Sequence, residues 1–135
     1  MFEEIEVSSK SREEFIDITR SVENVVKKSA VHEGFCIVYV PHTTAGVTVN
    51  ENADPSVCRD ILGMLSRLAP RDDPQYRHSE GNSDSHIKSA LIGFSHMIPI
   101  HDSRLTLGTW QGVFFCEFDG PRRRSVFVSV ISAKM

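Results

Sequence analysis

The sequence predicts an α+β fold: a mostly antiparallel, sandwich-like β framework that carries two to three helices. Most segments have the alternating or β-branched pattern of strands, and only two or three have helical periodicity. Strict alternation of strand and helix, which is typical of a parallel sheet, is absent. With 135 residues, 40% of them hydrophobic and 24% charged, the chain is expected to form one domain over 1–135.

The N-terminal segments are predicted to be strands with polar faces. Residues 2–7 and 13–18 alternate between apolar and polar side chains, and the polar SSKSR segment between them is typical of a turn. We therefore expect these two strands to form an edge hairpin.

A helix and a central strand are predicted next. From Arg20 to Ala30 valines recur at helical spacing, and Thr19 can serve as the N-cap. The continuous apolar run from Phe35 to Val40 is rich in β-branched and aromatic residues and stops at Pro41, which is typical of a buried strand.

The clearest helix follows a short strand at Val47 to Asn50. Asp54 is a suitable N-cap, Pro55 occupies the first helical position, and Pro70 ends an apolar stripe of helical period. This stripe is expected to face the core.

The C-terminal half is predicted to hold one more helix and several strands. A polar loop at about 71–83 precedes a short helix that Asp84 or Ser85 can cap and that reaches Gly93. The remaining strands are expected at about 95–100, 104–107, 112–118 and 124–132.

Charge and cysteine content narrow the class of protein. A formal charge of −3 argues against a general nucleic-acid binder, and no segment has the long apolar stretch of a membrane span. The chain has three cysteines, which form no Cys-x-x-Cys pair, so we expect neither a disulfide framework nor a zinc knuckle. A reducing, cytoplasmic location fits best.

Three of the six histidines stand where a functional site is expected. His42 ends the predicted central strand directly before a Thr-Thr-Ala-Gly turn, and His78 and His86 bracket the polar stretch before the last helix. Imidazoles near carboxylates are the usual ligands of zinc and related divalent ions. The His78-x7-His86 spacing is no recognised metal motif, so convergence of the three rings is a hypothesis.

Other polar residues can complete a pocket. Thr43 and Thr44 offer hydroxyls beside a glycine-permitted turn, and the Arg122-Arg123-Arg124 run can present guanidinium groups to a phosphate or carboxylate. Glu51, which precedes the clearest helix, has no local capping role, and we therefore regard it as a functional candidate.

Taken together, the segments PHTTAGVTVNENADP, EGNSDSHIKSALIG and LTLGTWQGVFFCEFDGPRRR resemble the YjbQ-like family, also called the secondary thiamine-phosphate synthase family. The resemblance extends from about Phe15 to Ile131. It implies a homotrimeric α+β protein whose clustered histidines form a divalent-metal or anion site near subunit boundaries. The family histidines map onto His42, His78 and His86.

The activity that the resemblance implies joins hydroxymethylpyrimidine diphosphate to a thiazole phosphate and releases pyrophosphate. In this interpretation His42, His78 and His86 hold the metal, for which zinc fits best and magnesium, manganese or nickel are alternatives. The catalytic residues are then Glu51, His86 and Lys88. Substrate phosphate is bound by Thr43, Thr44, Lys88, Arg122 and Arg124.

Two further hypotheses suit the same residues. The first is a metal-dependent hydrolase or lyase that acts on a small phosphorylated metabolite, with metal-bound water as the nucleophile. The second is a non-enzymatic trimer that captures a metal or a small anion.

Overall fold

The structure is a computed structural model that describes residues 1–134. Within these residues the fold consists of two antiparallel sheets and three helices. The elements follow in the order β1 (Phe2–Ser8), β2 (Glu14–Asp17), α1 (Thr19–Ser29), β3 (Gly34–Tyr39), β4 (Ala45–Glu51), α2 (Pro55–Leu68), α3 (Ser83–Ile92), β5 (Ser95–His101), β6 (Arg104–Leu105), β7 (Gln111–Glu117) and β8 (Arg123–Ser132).

The strands are divided between a large and a small sheet. The large sheet has the order β1-β8-β3-β5-β6 and the small sheet has the order β2-β7-β4. Every pairing between neighbours is antiparallel. The predicted α+β class, with three helices on a mostly antiparallel framework, is confirmed.

The predicted N-terminal hairpin is wrong, because its two strands belong to different sheets. β1 pairs with β8 and β2 pairs with β7. The segment between them crosses from one sheet to the other and is fixed by backbone bonds from Ser9 N to Arg122 O, 3.0 Å, and from Gly120 N to Arg12 O, 2.9 Å. Local alternation identified both strands but could not reveal these distant partners.

The starts of α1 and α2 agree with the sequence to within a residue, whereas the N-cap of α3 is Asn82 and not the predicted Asp84 or Ser85. α2 begins as predicted, since Asp54 Oδ1 accepts a hydrogen bond from Ser56 N at 2.9 Å and Pro55 is the first helical residue. α1 begins at Thr19 itself, whose backbone N–H donates to Asp17 Oδ1 at 2.9 Å. The capping oxygen therefore comes from Asp17 and not from Thr19.

The small sheet lies between two apolar clusters. On one side, side chains of the large sheet such as Val38 and Val128 pack with Phe115 and with the valines of α1. On the other side, Phe114 and Cys116 of β7 pack against apolar residues of α2. This explains why β7 is buried on both faces and has an almost continuous apolar sequence.

The large sheet also has an apolar outer face. Alternate side chains of β1, β3, β5 and β8 point away from the core, and several of them are large, apolar and exposed: Phe2, Phe35, Tyr39, Met97 and Ile131. A separate set of exposed apolar side chains lies on α2 and α3: Met64, Leu68, Ile87 and Leu91. Within residues 1–134 no helix is long and apolar enough to cross a bilayer.

Substitution of two glycines by alanine should have opposite effects on stability. A Cβ at Gly34 would lie 2.0 Å from the Ile131 carbonyl oxygen, so G34A must push β3 and β8 apart. We expect G34A to lower the free energy of unfolding by about 1–3 kcal/mol or more in urea denaturation. G63A, in α2, meets only the end of the Arg67 side chain at 3.9 Å and should raise it by up to about 1 kcal/mol. Equal effects would contradict the β3–β8 register.

Candidate functional site

The site residues predicted near His42 line one cleft of about 590 Å³. We call it the His42 cleft. It lies where β3 ends and β8 begins, and its lining consists of Tyr39, Pro41, His42, Thr43, Thr44, Arg122 and Arg124. Four of the predicted phosphate-binding residues, Thr43, Thr44, Arg122 and Arg124, are thus brought together with one of the three predicted metal ligands.

His42 is held as a neutral ring with a defined tautomer. Its Nε2 accepts a hydrogen bond from the backbone N–H of Ser125 at 3.0 Å. Burial lowers the pKa of His42, and the nearby Arg124 charge lowers it further. A neutral imidazole whose Nε2 is an acceptor carries its proton on Nδ1. His42 therefore offers an N–H donor, and a metal at Nδ1 would require the ring to give up its bond to Ser125.

Arg124 lies under the cleft in a buried ion pair with Glu117. Arg124 Nε donates to Glu117 Oε1 at 2.9 Å, and Nη2 donates to Glu117 Oε2 and to Thr44 Oγ1, the latter at 2.9 Å. Within residues 1–134, Nη1 makes no hydrogen bond. One guanidinium nitrogen thus stays available to a ligand in the cleft.

Glu117 is ionised despite its burial. Desolvation alone would raise the pKa of Glu117, but hydrogen bonds from Arg124, from the Ser9 hydroxyl at 2.6 Å and from Asp119 N at 3.0 Å outweigh it and lower the pKa. Because the two charges neutralise each other, the pair adds no net charge to the cleft. It fixes the side chains around it through hydrogen bonds.

A chain of side chains connects the cleft to the start of α3. Arg122 Nη2 lies 3.1 Å from Asp119 Oδ2, and the same oxygen accepts a hydrogen bond from Asn82 Nδ2 at 2.7 Å. Asn82 Oδ1 is buried and has no hydrogen-bond partner among the described residues. Asn82, the N-cap of α3, is therefore linked to Arg122 through Asp119.

His78 and His86 form a second centre. Their ring centroids are 5.2 Å apart with the planes nearly perpendicular, and both rings line a cavity of about 400 Å³ with Tyr76, Ser83 and Ile87. His78 Nε2 lies 3.9 Å from Glu80 Oε1. The structure thus brings together two of the three rings for which the sequence suggested a common site.

In a single protomer the three predicted metal ligands do not meet. Over residues 1–134, His42, His78 and His86 form no set whose ligand atoms all lie within 4.8 Å of one another. His42 lines a different cavity from His78 and His86. A common centre would need rings from neighbouring copies of the chain.

Lys88 is buried in a second network of charges. Its Nζ lies 2.9 Å from Asp84 Oδ2 and 3.0 Å from Glu13 Oε2, and its side chain is 1% exposed. Arg12 Nη2 reaches Asp84 Oδ1 at 3.0 Å. Burial alone would raise the pKa of Asp84, but hydrogen bonds from Arg12 and Lys88 outweigh it and lower the pKa. Because its side chain is buried, a substrate phosphate could reach Lys88 Nζ only if this network opened.

Glu51 lies far from the His42 cleft. It is the last residue of β4, whereas Thr44 directly precedes the first residue, and seven strand residues span roughly 20 Å. Its side chain is half-buried and makes no hydrogen bond or ion pair with any residue from 1 to 134. If Glu51 acts at a His42 cleft, that cleft belongs to another copy of the chain.

A further cluster joins Glu33, His101 and Asp102, which sequence reasoning did not predict as a site. His101 Nδ1 lies 2.9 Å from Glu33 Oε1, and His101 Nε2 lies 3.4 Å from Asp102 Oδ2. The two carboxylates thus approach the two different nitrogens of one ring. The hydrogen bond that His101 donates to the Glu33 carboxylate raises the pKa of His101, so the cluster fits a protonated imidazole between two acids.

Comparison with known proteins places the chain in a family. The family model described as "UPF0047 protein YjbQ-like" matches residues 3–133. The chain belongs to the YjbQ/UPF0047 family. The resemblance recognised from the three sequence motifs is therefore confirmed, and the family's function is uncharacterised.

Relatives match over nearly the whole chain. A UPF0047 protein of Methanocaldococcus jannaschii is 52% identical over 129 residues, which are 96% of this chain and 93% of that protein. The UPF0047 protein YugU of Bacillus subtilis is 43% identical, with 97% and 99% coverage. A crystal structure of a YjbQ/UPF0047 family protein from Clostridium acetobutylicum is similar with a TM-score of 0.93 and 51% identity, covering 95% of this chain and 98% of that one.

Removal of the buried Asp84 carboxylate should cost much more stability than removal of an exposed one. D84N leaves Lys88 and Arg12 without their shared buried partner, and we expect a loss of about 3–5 kcal/mol in urea denaturation at pH 7. The matched control E6Q breaks the exposed Glu6–Arg123 pair, 3.2 Å, and should cost less than about 1 kcal/mol. Because the pKa of Asp84 is lowered, its contribution is lost as pH falls through that lowered value, and D84N should approach the parent protein at acid pH.

Histidine NMR should separate His42 from His101. We expect His42 to be the Nδ1–H tautomer and to titrate below the usual histidine range, and His101 to titrate above it. The lowered pKa means that protonation of His42 destabilises the fold as pH falls through the ordinary histidine value; the contribution of His101 is lost as pH rises through its raised pKa. Long-range ¹H–¹⁵N spectra report both properties, and an Nε2–H tautomer at His42 would contradict the described geometry.

Proposed function

We propose that the protein is an enzyme that binds a small phosphorylated metabolite in the His42 cleft. The observation that carries this proposal is that two residues lining one cleft each keep an uncommitted donor: the Nδ1–H of neutral His42 and Nη1 of Arg124. Arg122 lines the same cleft. Such donors suit phosphate oxygens, which accept several hydrogen bonds at once.

The two threonines give the cleft a polar wall. Thr43 is exposed at the rim, whereas Thr44 is buried and its hydroxyl oxygen accepts a hydrogen bond from Arg124. The Thr44 hydroxyl proton remains available as a donor. In this proposal Thr43 and Thr44 orient the phosphate that the two arginines attract.

The specific reaction that we propose is thiamine-phosphate synthesis, as the sequence resemblance implies. The thiazole nitrogen attacks the methylene carbon of hydroxymethylpyrimidine diphosphate, a C–N bond forms, the C–O bond breaks, and pyrophosphate leaves with the electron pair. Catalysis then needs stabilisation of charge on the leaving group and orientation of two rings. The donors of the His42 cleft are suited to hold the leaving diphosphate.

We propose that the functional unit is a homotrimer. Each chain has two different exposed apolar surfaces, the outer face of the large sheet and the apolar residues of α2 and α3. A closed ring with head-to-tail contacts needs two different interface surfaces on every subunit. Tyr39 belongs to the outer face and also lines the His42 cleft. A subunit seated on the outer face would therefore border the cleft.

A divalent metal, with zinc as the first choice, remains part of the proposal. His78 and His86 can supply two imidazoles, and a third ligand would come from an acid of a neighbouring copy or from a neighbouring His42 ring that has given up its bond to Ser125. We assign no reaction step to it. Roles for Glu51 and Lys88 in catalysis likewise require an arrangement between subunits or a release from Asp84. The free state of Cys36, Cys58 and Cys116 supports the proposed cytoplasmic location.

Purified protein should form thiamine phosphate from hydroxymethylpyrimidine diphosphate and the thiazole phosphate. We expect R122A and H42Q to lower kcat/KM about tenfold or more, since each removes a donor to charged oxygen. The matched control R123A alters the neighbouring exposed arginine, which pairs with Glu6. Its kcat/KM should stay within about twofold of that of the parent protein. Product formation is followed by chromatography.

Two other results of this assay would favour a different function. Pyrophosphate or phosphate release without the thiazole partner would indicate the hydrolase or lyase. Saturable binding of pyrophosphate, with no turnover of the diphosphate in the presence or absence of the thiazole phosphate, would indicate a binding protein. Equal losses in R122A and R123A would contradict the placement of substrate in the His42 cleft.

A further inference from the structure

A second cavity, of about 930 Å³, lies between helix α1, the β5–β6 hairpin and the start of β7. We call it the α1–β6 cavity. It shares no lining residue with the His42 cleft. Its volume is in the range of sites that hold small organic ligands.

Three cations line the α1–β6 cavity without a charge partner. Arg20 and Lys27 lie seven residues apart on one face of α1, and Arg104 faces the cavity from β6. Within residues 1–134 none of the three takes part in an ion pair or a side-chain hydrogen bond. The neighbouring Lys28, in contrast, is 2.9 Å from Glu3.

The acids of this cavity do not cancel those charges. Glu23 and Asp102 are its two carboxylates, against three cations. Asp102 lies 3.4 Å from His101 Nε2, and that ring is held by Glu33 on its other side, so Asp102 is engaged by an imidazole with a raised pKa. The cavity is therefore positive within a chain whose formal charge is −3.

The cavity also has an apolar part and uncommitted amide donors. Val26, Leu105 and Leu107 contribute apolar side chains, and all three belong to the main core or pack against it. Gln111 Oε1 accepts a hydrogen bond from Gly108 N at 2.8 Å, which fixes the amide and leaves its NH₂ group as a donor. Cations at the rim and an apolar wall together suit a ligand with one anionic end and one flat apolar end.

We propose that the α1–β6 cavity is a binding site for a small organic phosphate that carries a heterocyclic ring, of about the size of a nucleoside monophosphate. Lys27 and Arg104, on opposite walls, bind the phosphate, and the ring packs on the side chains of Leu105 and Leu107. The site is independent of the His42 cleft and of the reaction proposed there.

The test uses adenosine and uridine monophosphates as probes, with adenosine and inorganic phosphate as the separate halves of the ligand. Binding to the full chain is followed by ¹H–¹⁵N NMR and calorimetry. We expect saturable shifts at α1, β6 and Gln111, tighter binding of a nucleotide than of either half, and an affinity lowered about tenfold or more by K27A and R104A.

Matched controls separate this site from general charge and from the His42 cleft. K28A and R123A remove exposed cations of the same type that are paired with Glu3 and Glu6, and H42Q alters the other site; all three should keep nucleotide affinity within about twofold. The proposal is overturned if neither nucleotide binds, if inorganic phosphate binds as tightly as both nucleotides, or if K28A weakens binding as much as K27A.

Discussion

The buried pair of Arg124 and Glu117 is the interaction on which the His42 cleft depends. It joins the large sheet, through β8, to the small sheet, through β7, and the same two side chains hold Ser9 and Thr44 by hydrogen bonds. Bringing two charges out of water is costly, and here the cost is offset by the hydrogen bonds that Arg124 donates through Nε and Nη2 and that both Glu117 oxygens accept. Loss of one partner would leave the other charge buried without compensation.

The geometry of the cleft follows from this pair. Ser125, whose N–H fixes the tautomer of His42, is the residue after Arg124, and Arg122, which faces the cleft, is held by Asp119 two residues after Glu117. The pair carries no net charge. Its contribution to the cleft is therefore to hold the hydrogen-bond donors that line it in fixed positions. Preorganised donors of this kind stabilise developing charge on oxygen without having to reorient, which is why a phosphate-bearing ligand suits the cleft.

Features that depend on local pattern could be predicted from the sequence, and features that depend on distant pairing could not. The proline and aspartate at the start of α2 were sufficient to place it, whereas the partners of β1 and β2 lie more than 90 residues away. In the site, His78 and His86 are close in sequence and also in space. His42, at the end of β3, lines the same cleft as Arg122 and Arg124. Glu117 was missed because it ends a strand whose preceding residues, Val113 to Cys116, are apolar. Its signal was an acid placed shortly before three arginines across a turn. Glu51 was placed with the site by chemistry alone, and the length of β4 separates them.

A double-mutant cycle on Glu117 and Arg124 tests the central claim most directly. The free energies of unfolding of E117Q, R124M and the double variant are compared with that of the parent protein at one fixed protomer concentration. If the pair organises the cleft, each single variant loses about 3–5 kcal/mol, and the double variant loses much less than the sum, with a coupling energy of about 2 kcal/mol or more. Losses that add to within about 0.5 kcal/mol would show that the two side chains act independently and would contradict the account.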